Sequence, residues 1–417
     1  MRSGAAAYVP PRPLVMSAVH PPAWLEFAFY VQVVYAVIGV AIGLSVPSVG
    51  IALLALVTVG CAISMGRYSI AIVRSTAIPL LCGLSFVVIQ VAIHRSDFDN
   101  SYLRDWIPWM LAVVALQHLA TRRGFVHRAA IVMFLIGVAT LPYIQSVGTE
   151  HRTGLATAIT IANPNDLGAW FGFCCVYFAT LGVEVRRPWV RGAAWSLAVV
   201  SALILAMTVS RGPLLAAGLG VAFALRGTLR KGFLPLMCLA SAAWVAFALG
   251  LLDRPAELYA QRGFEETGRL QVWPLAIGRV LESPLFGAGA GHVDIYLPGA
   301  GVSITPHNAP LFIALASGVV PLLLFLAYCV HLVQSARRAT ARVNPDAPFH
   351  HSLLLYTLLI AMNLNVAFML PWAMVTFASV SVGGLFAKAR EYSTRADSRF
   401  VRMRPQPMTT TARGLEF

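Results

Sequence analysis

Two arginines and a histidine have the residue types needed to bind an anion and to accept a proton. Arg211 lies in the segment TVSRGP (208–213), Arg269 lies in TGRLQVW (267–273), and His307 directly follows a Thr-Pro pair. A guanidinium group binds phosphate oxygens through paired, charge-assisted hydrogen bonds. A neutral imidazole can act as a general base near physiological pH. We therefore expect phosphate binding by the arginines and proton abstraction by the histidine.

Four further residues could support this chemistry. Trp273 shares the segment of Arg269, Asn308 follows His307, Arg152 is a candidate for a further phosphate contact, and His292 follows the glycine-rich segment FGAGAG (286–291). The glycines do not match the dinucleotide-binding fingerprint, and no βαβ unit surrounds them. We expect them to serve close backbone packing or a hinge.

The composition assigns the chain to the membrane proteins. Of its 417 residues 58% are hydrophobic and only 12% are charged, with a mean hydropathy of +0.73. A soluble protein carries about 25% charged residues. The net charge of +14 comes from basic residues that flank apolar segments, so a nucleic-acid partner is not expected and membrane lipids are.

The apolar segments predict an all-α polytopic membrane protein with about 12 transmembrane helices and one long outer loop that contains short helices. The junctions at Pro47 and at Pro371 could instead be kinks, which would change the number of spans. The predicted spans are 24–45, 48–65, 74–94, 104–120, 126–145, 164–183, 192–209, 212–226, 232–252, 307–333, 350–370 and 372–387.

The distribution of charge orients these spans. With the N-terminus inside, most of the 31 basic residues fall on the inner side and most of the acidic residues fall outside, as the positive-inside rule requires. Both termini are then cytoplasmic. The arginines on the outer side are the exceptions, and they are Arg95, Arg104, Arg152, Arg211, Arg254, Arg262, Arg269 and Arg279.

This orientation predicts a single transmembrane domain, 24–387, between two polar tails, 1–23 and 388–417. The outer loop, 253–306, contains the active-site elements. The first tail is rich in proline and lacks the apolar core of a signal peptide.

The predicted elements place the candidate residues at the outer boundary. A helix over 268–282 would put Arg269, Trp273 and Ala276 on one face. Pro213 would begin a helix whose N-terminal amides favour anions. His307 would open the tenth span, at a helix end that disfavours a charged imidazole.

Each candidate also has a structural interpretation. Arg211 could extend to the membrane interface, Arg269 could pair with Glu265 or Glu266, and His307 could be a capping residue. His292 could likewise be a structural residue in a flexible loop. The asparagines of NPND (163–166) suit a helix N-cap.

The cysteines predict neither a disulfide nor a metal site. All six (61, 82, 174, 175, 238 and 329) lie in apolar segments, where they act as small core residues. No His, Cys or Asp cluster has metal-ligand spacing, and no cofactor is expected.

The second half of the chain, roughly 200–330, resembles the O-antigen ligase and O-antigen polymerase superfamily of bacterial membrane proteins. The matching residues are an Arg-x3-Leu element at 211–215, Gly268-Arg269 before a Trp-containing helix, SPLFGxG at 283–289, and His307-Asn308 before Gly318. The family has Gly, Thr or Tyr where this chain has Pro321. The motif order and the twelve spans are most similar to the lipopolysaccharide O-antigen ligase.

The resemblance implies a metal-independent glycosyltransferase that faces the periplasm from the inner membrane of a Gram-negative bacterium. The donor would be O-antigen linked to undecaprenyl diphosphate, and the acceptor a sugar hydroxyl of the lipid A–core oligosaccharide. By motif position, Arg211 and Arg269 would bind the diphosphate, and His307 would be the base. A direct displacement would invert the anomeric carbon.

Three other functions remain open at this point. An O-antigen polymerase would use the same donor, and a protein O-oligosaccharyltransferase would use a protein hydroxyl as acceptor. A secondary transporter or flippase would also suit twelve spans. However, the predicted spans have almost no acidic residues near their centres and no inverted repeat, which disfavours transport.

Overall fold

The computed structural model describes residues 20–39, 46–95, 100–147, 152–155, 163–227, 269–297, 301–339 and 346–403, and a few isolated positions between them. Side chains are described in these ranges except at 100–104, 143–147, 152–155, 269–270, 302 and 390–403. Most of the predicted ninth span, 232–252, and of the first part of the outer loop, 253–268, lies outside these residues.

Helices form most of the described chain, as the composition predicts. In chain order they are α1 Ala23–Val34 with a π-helical continuation Tyr35–Gly39, α2 Pro47–Met65, α3 Arg67–Ser75, α4 Ala77–Ala92, α5 Asn100–Leu119, α6 Phe125–Thr140, α7 Pro164–Glu184, α8 Pro188–Met207, α9 Arg211–Leu225, α10 Arg269–Glu282, α11 Ala309–Ser317, α12 Val319–Arg338, α13 Ala347–Ala361 and α14 Pro371–Met403. Among the described residues, short 3-10 turns lie at Leu141–Tyr143, Ala290–His292 and Ala367–Met369.

In the described residues, five helices are long and apolar enough to cross a membrane: α2, α7, α8, α12 and the segment Pro371–Ala389 of α14. α3 and α4 qualify together as a sixth span that bends by 65°. Shorter apolar helices are Ala23–Gly39, α6, α9 and α13. The membrane class therefore stands, while the number of about twelve spans stays a prediction.

Large apolar side chains lie exposed on several of these helices. Leu56 and Ile63 on α2 are 69% and 75% exposed, and Trp189 at the start of α8 is 72% exposed. Apolar faces of this kind are costly in water and suit contact with lipid tails.

The tenth predicted span, 307–333, is two helices rather than one. The break is Gly318, whose φ of 79° is accessible to glycine but strained for other residues. A Cβ at this position would also collide with the backbone of Leu285. Pro321, the departure from the family pattern, lies in the first turn of α12, where a proline costs the helix no hydrogen bond.

Two further boundaries differ from the prediction. The segment predicted as a tail from residue 388 begins inside α14, which continues to Met403. The predicted span 350–370 ends as α13 at Ala361, and a non-helical segment, 362–370, connects it to α14.

Two antiparallel hairpins interrupt the expected all-α fold. β1 Ile144–Val147 pairs with β2 Arg152–Leu155, and β3 Ile295–Leu297 pairs with β4 Val302–Ile304. Strands of three or four residues are too short to register in hydropathy windows of about 19 residues.

Of the described cysteines, Cys61, Cys82, Cys174 and Cys175 are buried and Cys329 is half-buried, all of them free thiols. The prediction that they are small core residues is confirmed for the four buried ones. Cys238 lies outside the described residues.

A buried carboxylate joins α1 to the first turn of α6 and to the turn that precedes it. Glu26 is only 3% exposed, and its oxygens accept from Arg128 at 2.7 and 2.9 Å. Arg122 lies 3.3 Å away and the Tyr30 hydroxyl donates at 2.7 Å. These partners offset the cost of burying a charge, which is high when the charge is unpaired.

One of two apolar cores connects the loop elements to the helices. It contains an aromatic group in which Phe86 stacks on Trp106 at 4.0 Å and Phe368 packs edge-on against Trp109 at 5.5 Å. Phe312 of α11 also packs against Phe86. α11 and the 362–370 segment therefore rest on the same aromatic group.

Candidate functional site

His307 precedes α11 by two residues and is half-buried. Asn308 is the N-cap, and its side-chain oxygen accepts from the backbone N–H of Leu311 at 3.0 Å. His307 has a φ of 47°, in the left-handed region that few non-glycine residues adopt. The expected position at a helix start is confirmed, with the cap on the residue after the histidine.

Trp273 connects α10 to the turn of His307. Its indole N–H donates to the carbonyl oxygen of Pro306 at 2.9 Å. α10 starts at Arg269 and ends at Glu282, as predicted. Because positions four apart share a helix face, the backbone of Arg269 lies one turn from Trp273, about 6 Å along the axis.

Arg211 is the first residue of α9 and is half-buried. The turn Thr208–Ser210 separates it from α8, so the predicted short junction is confirmed, as is Pro213 in the first turn. Ser210 occupies the N-cap position without capping the helix through its side chain. Its hydroxyl instead donates to the Pro164 carbonyl at 3.0 Å and the Asn165 side-chain oxygen at 3.1 Å.

The start of α7 thus packs against the turn of Arg211. Asn163 is the N-cap of α7, and its side-chain oxygen accepts from the Asn165 N–H at 2.9 Å. Thr208 and Ser210 lie so close to Gly168 that a Cβ there would meet the Thr208 hydroxyl oxygen at 2.8 Å. The N-cap interpretation of the NPND segment is therefore confirmed.

The turns of Arg211 and His307 meet at one segment, 362–366, which the sequence analysis did not identify. The backbone N–H of Asn308 donates to the side-chain oxygen of Asn365 at 3.0 Å. A Cβ on Gly212 would lie 2.5 Å from the side-chain oxygen of Asn363. Residues two apart are separated by at most about 7 Å, so the segment brings both turns close together.

Backbone strain marks the same two turns. In the part of the chain that the structure describes, Val209 and His307 are the non-glycine residues with positive φ, at 51° and 47°. Such conformations cost on the order of 1–3 kcal/mol and cluster at functional sites. Val209 is β-branched and only 1% exposed, so the packing around it holds this conformation.

The glycine-rich segment packs against the end of α11. Gly287 has a φ of 70°, and a Cβ there would meet the backbone nitrogen of Ser317 at 2.7 Å. The N–H of Ala288 donates to the Leu315 carbonyl at 2.6 Å. The expectation of close backbone packing is confirmed.

Gln90 of α4 fixes this arrangement and was missed by the sequence analysis. Its side-chain nitrogen donates to the Ala316 carbonyl at 2.7 Å and is 2.8 Å from the Ser317 hydroxyl. Its oxygen accepts from the N–H of Ala290 at 2.9 Å. His94, one turn further on, lies 2.9 Å from the Phe286 carbonyl. The sequence signal that could have identified Gln90 is a glutamine within an apolar span.

The remaining candidates from the sequence are His292 and Arg152. His292 is exposed at the end of the 3-10 turn that begins at Ala290. Arg152 lies on β2, paired with Val147, and the strand contacts α7. The side chains of Arg152 and Arg269 are outside the described residues, so their phosphate contacts stay predictions.

The fold and the site define a helical membrane protein with two strained turns, one next to Arg211 and the other at His307. The family model described as O-antigen ligase matches residues 196–326. The match runs from within α8 to the first part of α12, and the resemblance found from the sequence is confirmed there. The match includes Arg211, Arg269 and His307 and excludes Arg152, Asn363 and Asn365. No curated protein matches the chain.

Proposed function

We propose that the chain is an O-antigen ligase of the bacterial inner membrane. It transfers polysaccharide from undecaprenyl diphosphate to a sugar hydroxyl of lipid A–core on the periplasmic face. The observation that carries this proposal is the 362–366 segment, whose two asparagines contact the residues next to Arg211 and His307. A cation and a base held close together in this way can act on the donor diphosphate and on the acceptor hydroxyl of one glycosyl transfer.

The turn of Arg211 binds the donor diphosphate. Arg211 begins a helix of 15 residues, and such an N-terminus carries a partial positive charge. The hydroxyl of Ser210 donates to α7 instead of capping the helix, which favours an anion at this end. The guanidinium adds a full charge in a geometry that matches phosphate.

Arg269 supplies a second charge to the same diphosphate. Its backbone lies on the face of α10 that carries Trp273, and Trp273 contacts the turn of His307. Two guanidinium groups stabilise the charge that develops on the leaving diphosphate. We therefore expect transfer to continue in the presence of a chelator.

His307 accepts the proton of the acceptor hydroxyl. The hydroxyl oxygen forms a bond to the anomeric carbon while the bond from that carbon to the diphosphate oxygen breaks. Undecaprenyl diphosphate leaves as an anion, and the proton stays on the imidazole. Attack opposite the leaving group inverts the anomeric carbon.

The test is a reaction of purified protein with undecaprenyl diphosphate-linked O-antigen and lipopolysaccharide that lacks O-antigen, with chelator present. The proposal predicts a ladder of glycan on lipid A–core. Longer glycans that stay on undecaprenyl diphosphate would show a polymerase instead, and transfer to a protein would show an oligosaccharyltransferase. Absence of every product from folded protein would contradict the glycosyltransferase.

A further inference from the structure

Two asparagines between α13 and α14 contact both halves of the proposed site. They lie outside the matched family domain, 196–326, and neither was a candidate from the sequence. Asn363 lies against Gly212, and Asn365 accepts from the N–H of Asn308.

Asn365 acts on the backbone next to the histidine. Asn308 is only 3% exposed, so its N–H needs a protein partner, and the Asn365 oxygen at 3.0 Å provides one. His307 immediately precedes this N–H and has the strained φ of 47°. Strained backbone persists only where its surroundings fix it, and the Asn365 contact is one of those restraints.

Asn363 acts on the backbone next to the arginine. Its side-chain nitrogen donates to the Leu359 carbonyl at 2.9 Å, which fixes the amide on the end of α13. The amide oxygen then faces Gly212, where even a methyl group would approach to 2.5 Å. This contact sets how closely the first turn of α9 approaches the segment.

The segment that carries the two asparagines is itself anchored. The N–H groups of Asn363 and Leu364 both donate to the Ile360 carbonyl, at 2.8 and 3.0 Å. At the other end, Phe368 is fully buried among Trp106, Trp109 and Phe325. A segment fixed at both ends can hold a constant separation between its two contacts.

We infer that Asn363 and Asn365 are positioning residues that set the separation between the diphosphate-binding turn at Arg211 and the base at His307. The inference rests on the proposed function. Neither asparagine transfers a proton or binds phosphate in this account. Each acts through its neighbour, so each affects a different step: Asn363 acts on donor binding and Asn365 on transfer.

The test measures kcat and the KM for the donor separately in the ligation assay. Asn365→Ala leaves a buried N–H without its partner, so we expect kcat to fall about tenfold with little change in donor KM. Asn363→Ala loosens the turn of Arg211, so we expect donor KM to rise about fivefold with a smaller change in kcat.

Asn365→Asp is the rescue variant. It keeps an acceptor oxygen for the Asn308 N–H, and its negative charge is favourable at the N-terminus of α11. We expect the kcat of Asn365→Asp to stay within about twofold of the wild-type value. This loss is far smaller than the loss expected for Asn365→Ala, in which the buried N–H of Asn308 has no acceptor. This variant separates the acceptor role from a general loss of packing.

Asn344→Ala is the matched control. The Asn344 side-chain oxygen also accepts a backbone N–H, that of Asp346 at 2.9 Å, but at the opposite end of α13. It should leave both kcat and donor KM unchanged. The melting temperature of each variant in detergent shows whether it is folded.

Equal changes in the same kinetic parameter for Asn363→Ala and Asn365→Ala would overturn the inference, as would a wild-type kcat in Asn365→Ala. Failure of Asn365→Asp to restore kcat in folded protein would also overturn it. Absence of ligation activity in the wild-type protein would instead contradict the proposed function. Failure of the inference and failure of the proposed function are therefore distinguishable.

Discussion

The indole N–H of Trp273 donates to the carbonyl oxygen of Pro306 at 2.9 Å, across 33 residues of chain. This bond joins the helix that begins at Arg269 to the residue that precedes His307. The rotation of α10 about its axis and the position of the His307 turn are therefore coupled.

Replacing Trp273 by Phe tests this coupling. An aromatic six-membered ring is kept and the hydrogen bond is lost. The lost bond costs about 0.5–1.5 kcal/mol, so kcat should fall about 2- to 12-fold if the cost is expressed in the transition state. Steady-state ligation gives kcat. Trp189→Phe, on an exposed ring at the start of α8, is the control and should have no effect. An unchanged kcat in Trp273→Phe would mean that the hydrogen bond between α10 and the turn of His307 does not contribute to transfer.

Arg211 should require its guanidinium and not merely a positive charge. Arg211→Ala should weaken binding of the undecaprenyl diphosphate donor by at least about tenfold, the range of a charge-assisted bond. Arg211→Lys should restore little, because a point charge lacks the paired geometry.

Equilibrium binding of undecaprenyl diphosphate in detergent measures this effect. Arg226→Lys, at the other end of α9, is the control and should bind normally. Full activity in Arg211→Lys would contradict paired hydrogen bonding to the diphosphate.

Gly212 and Gly218 lie on the same helix and predict opposite outcomes. A Cβ at Gly212 would overlap Asn363, whereas a Cβ at Gly218 meets no atom within 4 Å. Gly212→Ala should therefore destabilise the protein by about 1–3 kcal/mol and lower transfer. Gly218→Ala should be neutral or slightly stabilising, because alanine is the better helix former.

Thermal unfolding in detergent and the ligation rate distinguish these two variants. If Gly212→Ala behaves like Gly218→Ala in both measurements, the close contact between α9 and the 362–366 segment is wrong.

Gln90 and Gln117 form a second matched pair, both buried at 4% and 0% exposure. Gln90 bonds the end of α11 and the glycine-rich segment, so Gln90→Leu should lower the melting temperature and kcat together. Neither polar atom of the Gln117 side chain has a hydrogen-bond partner among the described residues. Gln117→Leu should thus be neutral or stabilising, since it removes buried polar atoms.

A circular-dichroism melt in detergent and the ligation assay compare the two leucine variants. Equal effects would mean that the hydrogen bonds of Gln90 do not hold the loop against α11.

The sequence was sufficient for the elements whose signals are local. Pro213 predicted the helix that begins at Arg211, and the helix predicted over 268–282 matches α10. The break at Gly318 was not predicted because 309–333 is mostly apolar, and hydropathy does not show that a glycine adopts positive φ.

The contacts that complete the site were not predictable in the same way. Asn365 bonds Asn308 across 57 residues, and Gln90 bonds Ala316 across 226. Such pairs arise only when the helices pack, so neither residue stands out in its own segment. The two short hairpins were missed for the same reason, because each strand is fixed by pairing with its partner strand more than by its own composition.

The central claim is that Arg211 and His307 act on the two sides of one transfer. The most direct measurement compares His307→Ala with wild-type protein in two assays, donor binding and ligation to lipid A–core. His351→Ala is the control, because His351 lies near the start of α13, at the end away from the 362–366 segment. The account predicts that His307→Ala binds undecaprenyl diphosphate-linked O-antigen normally and loses ligation by about 100-fold or more, the range for a general base. Near-normal ligation by His307→Ala in folded protein would contradict it.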